Sequence, residues 1–109
     1  MAKQIVLTHE GKKYTLEFNR KSIQAMERSG FIFSEIGDKI ATTLPVLFEG
    51  AFYVHHRFLD KRVINEMYDR ITNKEEFLLR LTEMYKEPLV ALMEEPEESE
   101  GNIEWEASW

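Results

Sequence analysis

The chain contains no cysteine among its 109 residues. Disulfides, thiol nucleophiles and cysteine-ligated zinc are thereby excluded, and packing alone must hold the fold together. A basic excess is also missing. The net charge is −6, so the electropositive footprint of a nucleic-acid binder is absent and no nucleic-acid partner is expected. No apolar run approaches the roughly 20 residues of a membrane span. The first residues, MAKQIVLTHE, lack the apolar stretch of a signal peptide. The expectation is a soluble cytoplasmic protein without a membrane partner. Glycine is sparse and scattered, at 11, 30, 37, 50 and 101, a spacing that builds no phosphate-cradling loop. No serine sits in a nucleophile elbow.

What the chain does have is 43% hydrophobic and 12% aromatic residues, a composition that folds. Its charge is unevenly placed. From Glu94 onward there are seven acidic side chains and no basic one, whereas residues 1–93 are nearly neutral. This divides the chain into a folded domain, 1–93, and a flexible acidic tail, 94–109, too poor in apolar residues to offset its chain entropy.

Periodicity predicts an α+β fold, mostly α: an N-terminal β-hairpin packed on four or five short helices. Ile5 and Leu7, then Tyr14, Leu16 and Phe18, alternate with polar neighbours over residues 3–18, and Gly11 supplies the positive φ of a tight turn. Asn19 reads as an N-cap and Gly30 as the stop of a first helix. Ser34 reads as the cap of a second, running through Ile36 and Ile40, with Pro45 breaking it or starting another. Over residues 44–59 a helical stripe holds Leu44, Leu47, Phe48, Ala51, Val54, His55 and Phe58, with Val46 and Tyr53 opposite. A helix apolar on two sides is either central or in contact with a partner, and this is where self-association into a homo-oligomer is expected. Asp60 opens an amphipathic helix with Val63, Ile64, Met67, Tyr68 and Ile71. Asn73 reads as the cap of the last helix, which Pro88 should kink or split.

Chemistry-bearing residues are few. His55 and His56 are adjacent, about 100° apart on a helix, and do not ligate one metal together; the expected arrangement is a packed His55 bonded to a carbonyl and a superficial His56. His9 stands apart in the hairpin turn. Glu66/Asp69 and Glu83/Glu87 have helical spacing but alternate with lysine and arginine, as on a solvated face. No catalytic, metal-binding or cofactor-binding constellation emerges, and no enzyme is expected. A surplus of apolar side chains remains outside the main stripes: Phe31, Phe33, Val46, Tyr53, Leu79 and Val90. They form either irregular core or a protein-binding patch. Both tryptophans, Trp105 and Trp109, lie in the acidic tail. Ile103 and Trp105 have strand spacing and Trp105 and Trp109 helix spacing, so either conformation could form on a partner or on a neighbouring copy's sheet edge.

The stretch YTLEFNRKSIQAMERSGF, residues 14–31, joins a strand of the form Y-x-L-x-F-N to a helix ending at Gly-Phe. LPVLFEGAFYVHHRFLDKRVINEMYDRI follows, and Glu76–Leu89 completes an E-F-x-x-x-L-x-E-x-Y-x-E-x-L pattern. Together, over about residues 5–93, these resemble tail assembly chaperones of long-tailed bacteriophages and prophages. The resemblance implies a mostly helical, non-enzymatic helper in the host bacterial cytoplasm. It would bind the long helical tape measure protein, keep it soluble and help recruit tail tube subunits. Many such proteins also have a frameshifted longer form, whose extension would begin near the acidic tail here. The alternatives are another small phage structural or connector protein, an acidic inhibitor that mimics DNA, or a small enzyme using His55 or His56.

Overall fold

The computed structural model describes residues 3–95 and 101–109. Strands β1 (Ile5–His9) and β2 (Lys12–Leu16) form an antiparallel hairpin, followed by helices α1 (Arg20–Arg28), α2 (Ile40–Gly50), α3 (Lys61–Arg70) and α4 (Lys74–Ala91). A single 3-10 turn, Phe33–Glu35, lies between α1 and α2. The hairpin-plus-helices architecture is the expected one.

The hairpin register pairs Ile5 with Leu16 and His9 with Lys12 across a two-residue turn. Glu10 and Gly11 both have positive φ, 51° and 78°, the geometry that matches the twist of the strands. Ile5, Leu7, Tyr14 and Leu16 share the face turned to the helices, whereas Val6 and Thr8 face outward. The outer edge of β2 is sealed. Glu17 N–H donates to Ala51 C=O at 3.0 Å, and Thr15 N–H donates to His56 Nε2 at 3.0 Å.

α1 has strong signals at both ends. The Asn19 side chain accepts from Ser22 N–H while the Ser22 hydroxyl accepts from Asn19 N–H, at 2.8 and 2.9 Å, a reciprocal cap. At the other end Gly30, at φ 97°, lets Gly30 N–H reach Glu27 C=O and Phe31 N–H reach Met26 C=O, the left-handed helix stop that favours glycine. The chain therefore leaves α1 with Phe31 turned into the core.

The second helix begins later than expected. Ser34 lies inside the 3-10 turn and caps nothing; α2 starts at Ile40 and carries Pro45 within it without ending there. It stops at Gly50, so the expected helix over 44–59 is only half helix. Beyond Gly50, bonds of three-residue spacing, Phe52 N–H to Glu49 C=O and Tyr53 N–H to Gly50 C=O, tighten the chain. A tighter turn rotates the side-chain order relative to an α-helix. Phe52 swings into the core and Phe58 out of it, to 96% exposure.

Asp60 caps α3 by accepting from Arg62 N–H at 2.8 Å. Asn73 is in position before α4 but does not cap it: it adopts φ 52°, and its side chain makes no cap bond. Lys74 serves the junction instead, its ammonium donating to Ile71 C=O at 3.0 Å at the end of α3. α4 then runs unbroken past Pro88 to Ala91 rather than splitting. Proline three residues from the end removes a single bond, to Met84 C=O, close to the helix terminus.

The core draws on every helix and the hairpin: Leu16, Phe18, Ile23, Leu47, Phe48, Phe52, Ile64, Leu81 and Tyr85 are among its buried members. Full burial of each large side chain stabilises by about 1.5–3 kcal/mol. Two aromatic groups organise it. Phe48 meets Phe52, Tyr68 and Phe77 edge-on at 5.1–5.8 Å. Tyr85 is met by Phe18 and Phe31 edge-on and by Phe33 stacked at 4.6 Å. Of the tail, residues 96–100 lie outside the described residues, and residues 101–109 form no helix or strand and are exposed. No helix among the described residues is long and apolar enough to cross a membrane.

Candidate protein-binding groove

The glycine stop of α1 directs the chain across the end of α2, and the space left between them is a groove of about 570 Å³. Phe31, Val46 and Tyr53 contribute to its lining, with Ile32 and Leu59 at its margins. Phe31 is buried and forms floor rather than surface; Val46 and Tyr53 are half-buried; Ile32 is half-exposed. Gly50 keeps the floor low. A Cβ there would overlap Met26 Sδ and lie 2.7 Å from Met26 Cε, so the Met26 thioether lies directly against the bare Cα of Gly50.

The rim carries both charges. Lys39 pairs with Glu35 at 3.1 Å, and the Arg57 guanidinium lies over the Tyr53 ring at 4.3 Å. Glu49 and Lys61 also border the groove. An apolar floor with mixed charge around it is the anatomy of a protein-binding patch. The cation over Tyr53 favours one orientation of that ring at the groove wall.

The remaining surplus side chains do not converge here. Phe33 does not line the groove; it is stacked on Tyr85, with Lys86 Nζ 6.0 Å from its ring. Leu79 and Val90 are exposed on α4, more than half their surface in solvent. Val90 borders a separate cleft dominated by charged residues, including Lys3, Arg20 and Glu87. Trp105 and Trp109 are 80% and 101% exposed. Of the eight partner-binding candidates, Phe31, Val46 and Tyr53 meet in the groove, Phe31 as its buried floor; Phe33 packs on Tyr85; and Leu79, Val90, Trp105 and Trp109 stand apart. Ile32, Arg57 and Leu59 were not readable as groove residues, because they come together only through the turns at Gly30 and Gly50.

His56 borders this groove, and the two histidines take the roles opposite to those expected. His56 is the packed one. Its Nε2 accepts the Thr15 N–H, its ring meets Tyr14 edge-on at 5.3 Å, and burial, with the neighbouring His55 charge, holds its pKa below the ordinary histidine value. His55 is the superficial one and donates to Glu17 Oε1 at 2.9 Å. Gln4 Nε2 donates to the same oxygen at 2.7 Å. Glu17 is held below the usual carboxylate range chiefly by that Gln4 bond and, against its own partial burial, by His55. Both imidazoles are engaged in holding the hairpin to the loop after α2. At the hairpin tip, His9, Glu10 and Glu66 bring their ligand atoms within 4.8 Å of one another. Glu66 there already pairs with Arg70 at 3.0 Å.

The model of the family described as "Domain of unknown function (DUF5055)" matches residues 1–109. No curated protein and no solved structure matches the chain.

Proposed function

The chain belongs to the DUF5055 family, and we propose that it is a non-enzymatic tail assembly chaperone of a long-tailed phage or prophage. In this reading it binds the tape measure protein and supports tail tube assembly in the host bacterial cytoplasm. The observation that carries it is the groove: Phe31, Val46 and Tyr53, separated in sequence, line one apolar trough with charges of both signs around it. A trough of about 570 Å³ accepts the anchoring side chains of an amphipathic helix, not a whole helix, as in helix-in-groove recognition. A tape measure protein offers such faces along its length until assembly covers them. The resemblance of residues 5–93 to the chaperones supplies the identity of the client, and the groove supplies a means of holding it.

Co-expression with a tape measure protein of a long-tailed phage or prophage that carries this chain tests the reading. The expected result is a soluble complex that Tyr53→Glu and Val46→Asp each weaken while circular dichroism stays unchanged. Absence of any complex with the wild-type chain, or binding indifferent to both substitutions, overturns it.

A further inference from the structure

The two edges of the hairpin are treated differently. β2 is sealed by Ala51 and His56. Among the described residues, β1 has β2 as its only strand neighbour. Because Thr15 sends its N–H outward to His56, the Val6–Thr15 pair is a non-hydrogen-bonded one, and Val6 and, by alternation, Thr8 turn their main-chain groups away from β2. β1 thus presents an open edge, with the Val6 side chain 55% exposed beside it. An open edge is a template for a further strand.

Next to that edge, on the face turned to the helices, is a groove of about 280 Å³ lined by Leu7, His9, Met67, Ile71 and Phe77, with Arg70 at its lip. It is smaller than the roughly 300–1,000 Å³ of small-molecule sites, and its lining suits one aromatic side chain. Edge plus pocket is the pairing used in strand addition, where main-chain bonds hold the strand and pockets take alternate side chains.

We propose that the occupant is the tail of a second copy, Ile103–Glu106, adding as a third strand on β1 with Trp105 in the groove. Three observations select it. The alternation Ile103, Glu104, Trp105, Glu106 places two apolar side chains on the groove face and two carboxylates on the outer face. The charges are complementary at the hairpin, where Lys3, Lys12 and Lys13 outnumber Glu10 while the tail from Glu94 onward is acidic throughout; Arg70 at the groove lip is paired with Glu66. Within one copy, Ile103 and Trp105 stand 89% and 80% exposed. Mutual exchange of tails closes a twofold pair in which both open edges are covered.

Both tryptophans report directly, since both lie in the tail. The experiment follows the emission of the full chain across a concentration series, with mass measured by sedimentation. The expected result is a blue shift that grows with concentration in step with dimer mass. Thr8→Pro removes only an outward-facing donor and costs no bond to β2; Val6→Glu sets a carboxylate beside the incoming Glu104 and Glu106. Each is expected to abolish both the shift and the dimer. Emission of hydrated indole at every concentration overturns the proposal. So does a blue shift in a monomer, which means the tail folds on its own edge, and so does a dimer that persists in both variants.

Discussion

His56 Nε2 accepts the main-chain N–H of Thr15 at 3.0 Å, so a side chain from the loop after α2 completes the hydrogen bonding of a strand 41 positions earlier. Replacing His56 with alanine leaves that partly buried N–H without a partner and empties the space beside Tyr14. The expected cost is about 1–3 kcal/mol, read as a lower urea midpoint. His55→Ala removes a superficial imidazole from a carboxylate that keeps its Gln4 bond, and is expected to cost well under half as much in the same measurement.

The same bond predicts an acid weakness. His56 accepts through Nε2 only while it is neutral; its proton then resides on Nδ1, and a second proton would set a donor against the Thr15 donor. Its folded pKa is depressed, by burial first and by His55 second. The unfolded chain therefore takes up the proton before the folded chain does. Stability is full above about pH 6.5, the ordinary histidine value, and falls as the pH drops toward the folded pKa. Glu17, depressed chiefly by Gln4, adds a loss of the same sign lower down, below the ordinary glutamate range. Urea midpoints at about pH 7.5 and about pH 5.5 check the first step. His56→Gln, unable to titrate, is expected to flatten it.

Glu10 occupies a position that asks for another residue. At φ 51° it stands in the left-handed region beside Gly11 in a two-residue hairpin turn. Asparagine tolerates that conformation and is strongly favoured before glycine there. Glu10→Asn is expected to stabilise by about 0.5–1 kcal/mol, recovering part of the left-handed cost. A thermal shift upward, with unchanged oligomeric mass, is the measurement.

Gly50 and Met26 are coupled by contact. Gly50→Ala gains helix propensity but drives a methyl into the Met26 thioether, and overpacking of this kind costs about 1–3 kcal/mol. Met26→Ala relieves the clash while opening a void of its own. The double variant is therefore expected to be more stable than the sum of the single losses, with a coupling of about 1 kcal/mol in a double-mutant cycle. Additivity would mean that the two side chains do not meet.

These residues also show where reading the chain succeeds and where it stops. Asn19, Gly30, Gly11 and Asp60 are local signals, each answered by bonds within a few positions, and all appear where the sequence places them. Asn73 has the right position and the wrong role, because its backbone turns left-handed and takes the side chain out of reach. The errors beyond Gly50 share one origin. An α-helical period carried through 44–59 assigns Phe58 to the core and makes His55 the packed histidine, whereas tightening after Gly50 rotates the order to Phe52 and His56. Phe31 and Phe33 are drawn to the core for a non-local reason: the partner that claims both is Tyr85, in α4 at the other end of the domain. Of the candidate groove, three residues were legible as surplus apolar positions, but their meeting was not.

The hold of Tyr85 on Phe18, Phe31 and Phe33 has a consequence for the nascent chain. The three phenylalanines are made early and their partner late. At a synthesis rate of about 5–20 residues per second, some fifty residues separate Phe33 from Tyr85 by about 3–10 seconds. For that interval the wall of the groove has nothing behind it, and the helix that will support it does not yet exist. Until α4 emerges, the chain carries bare aromatic surface of its own beside the ribosome.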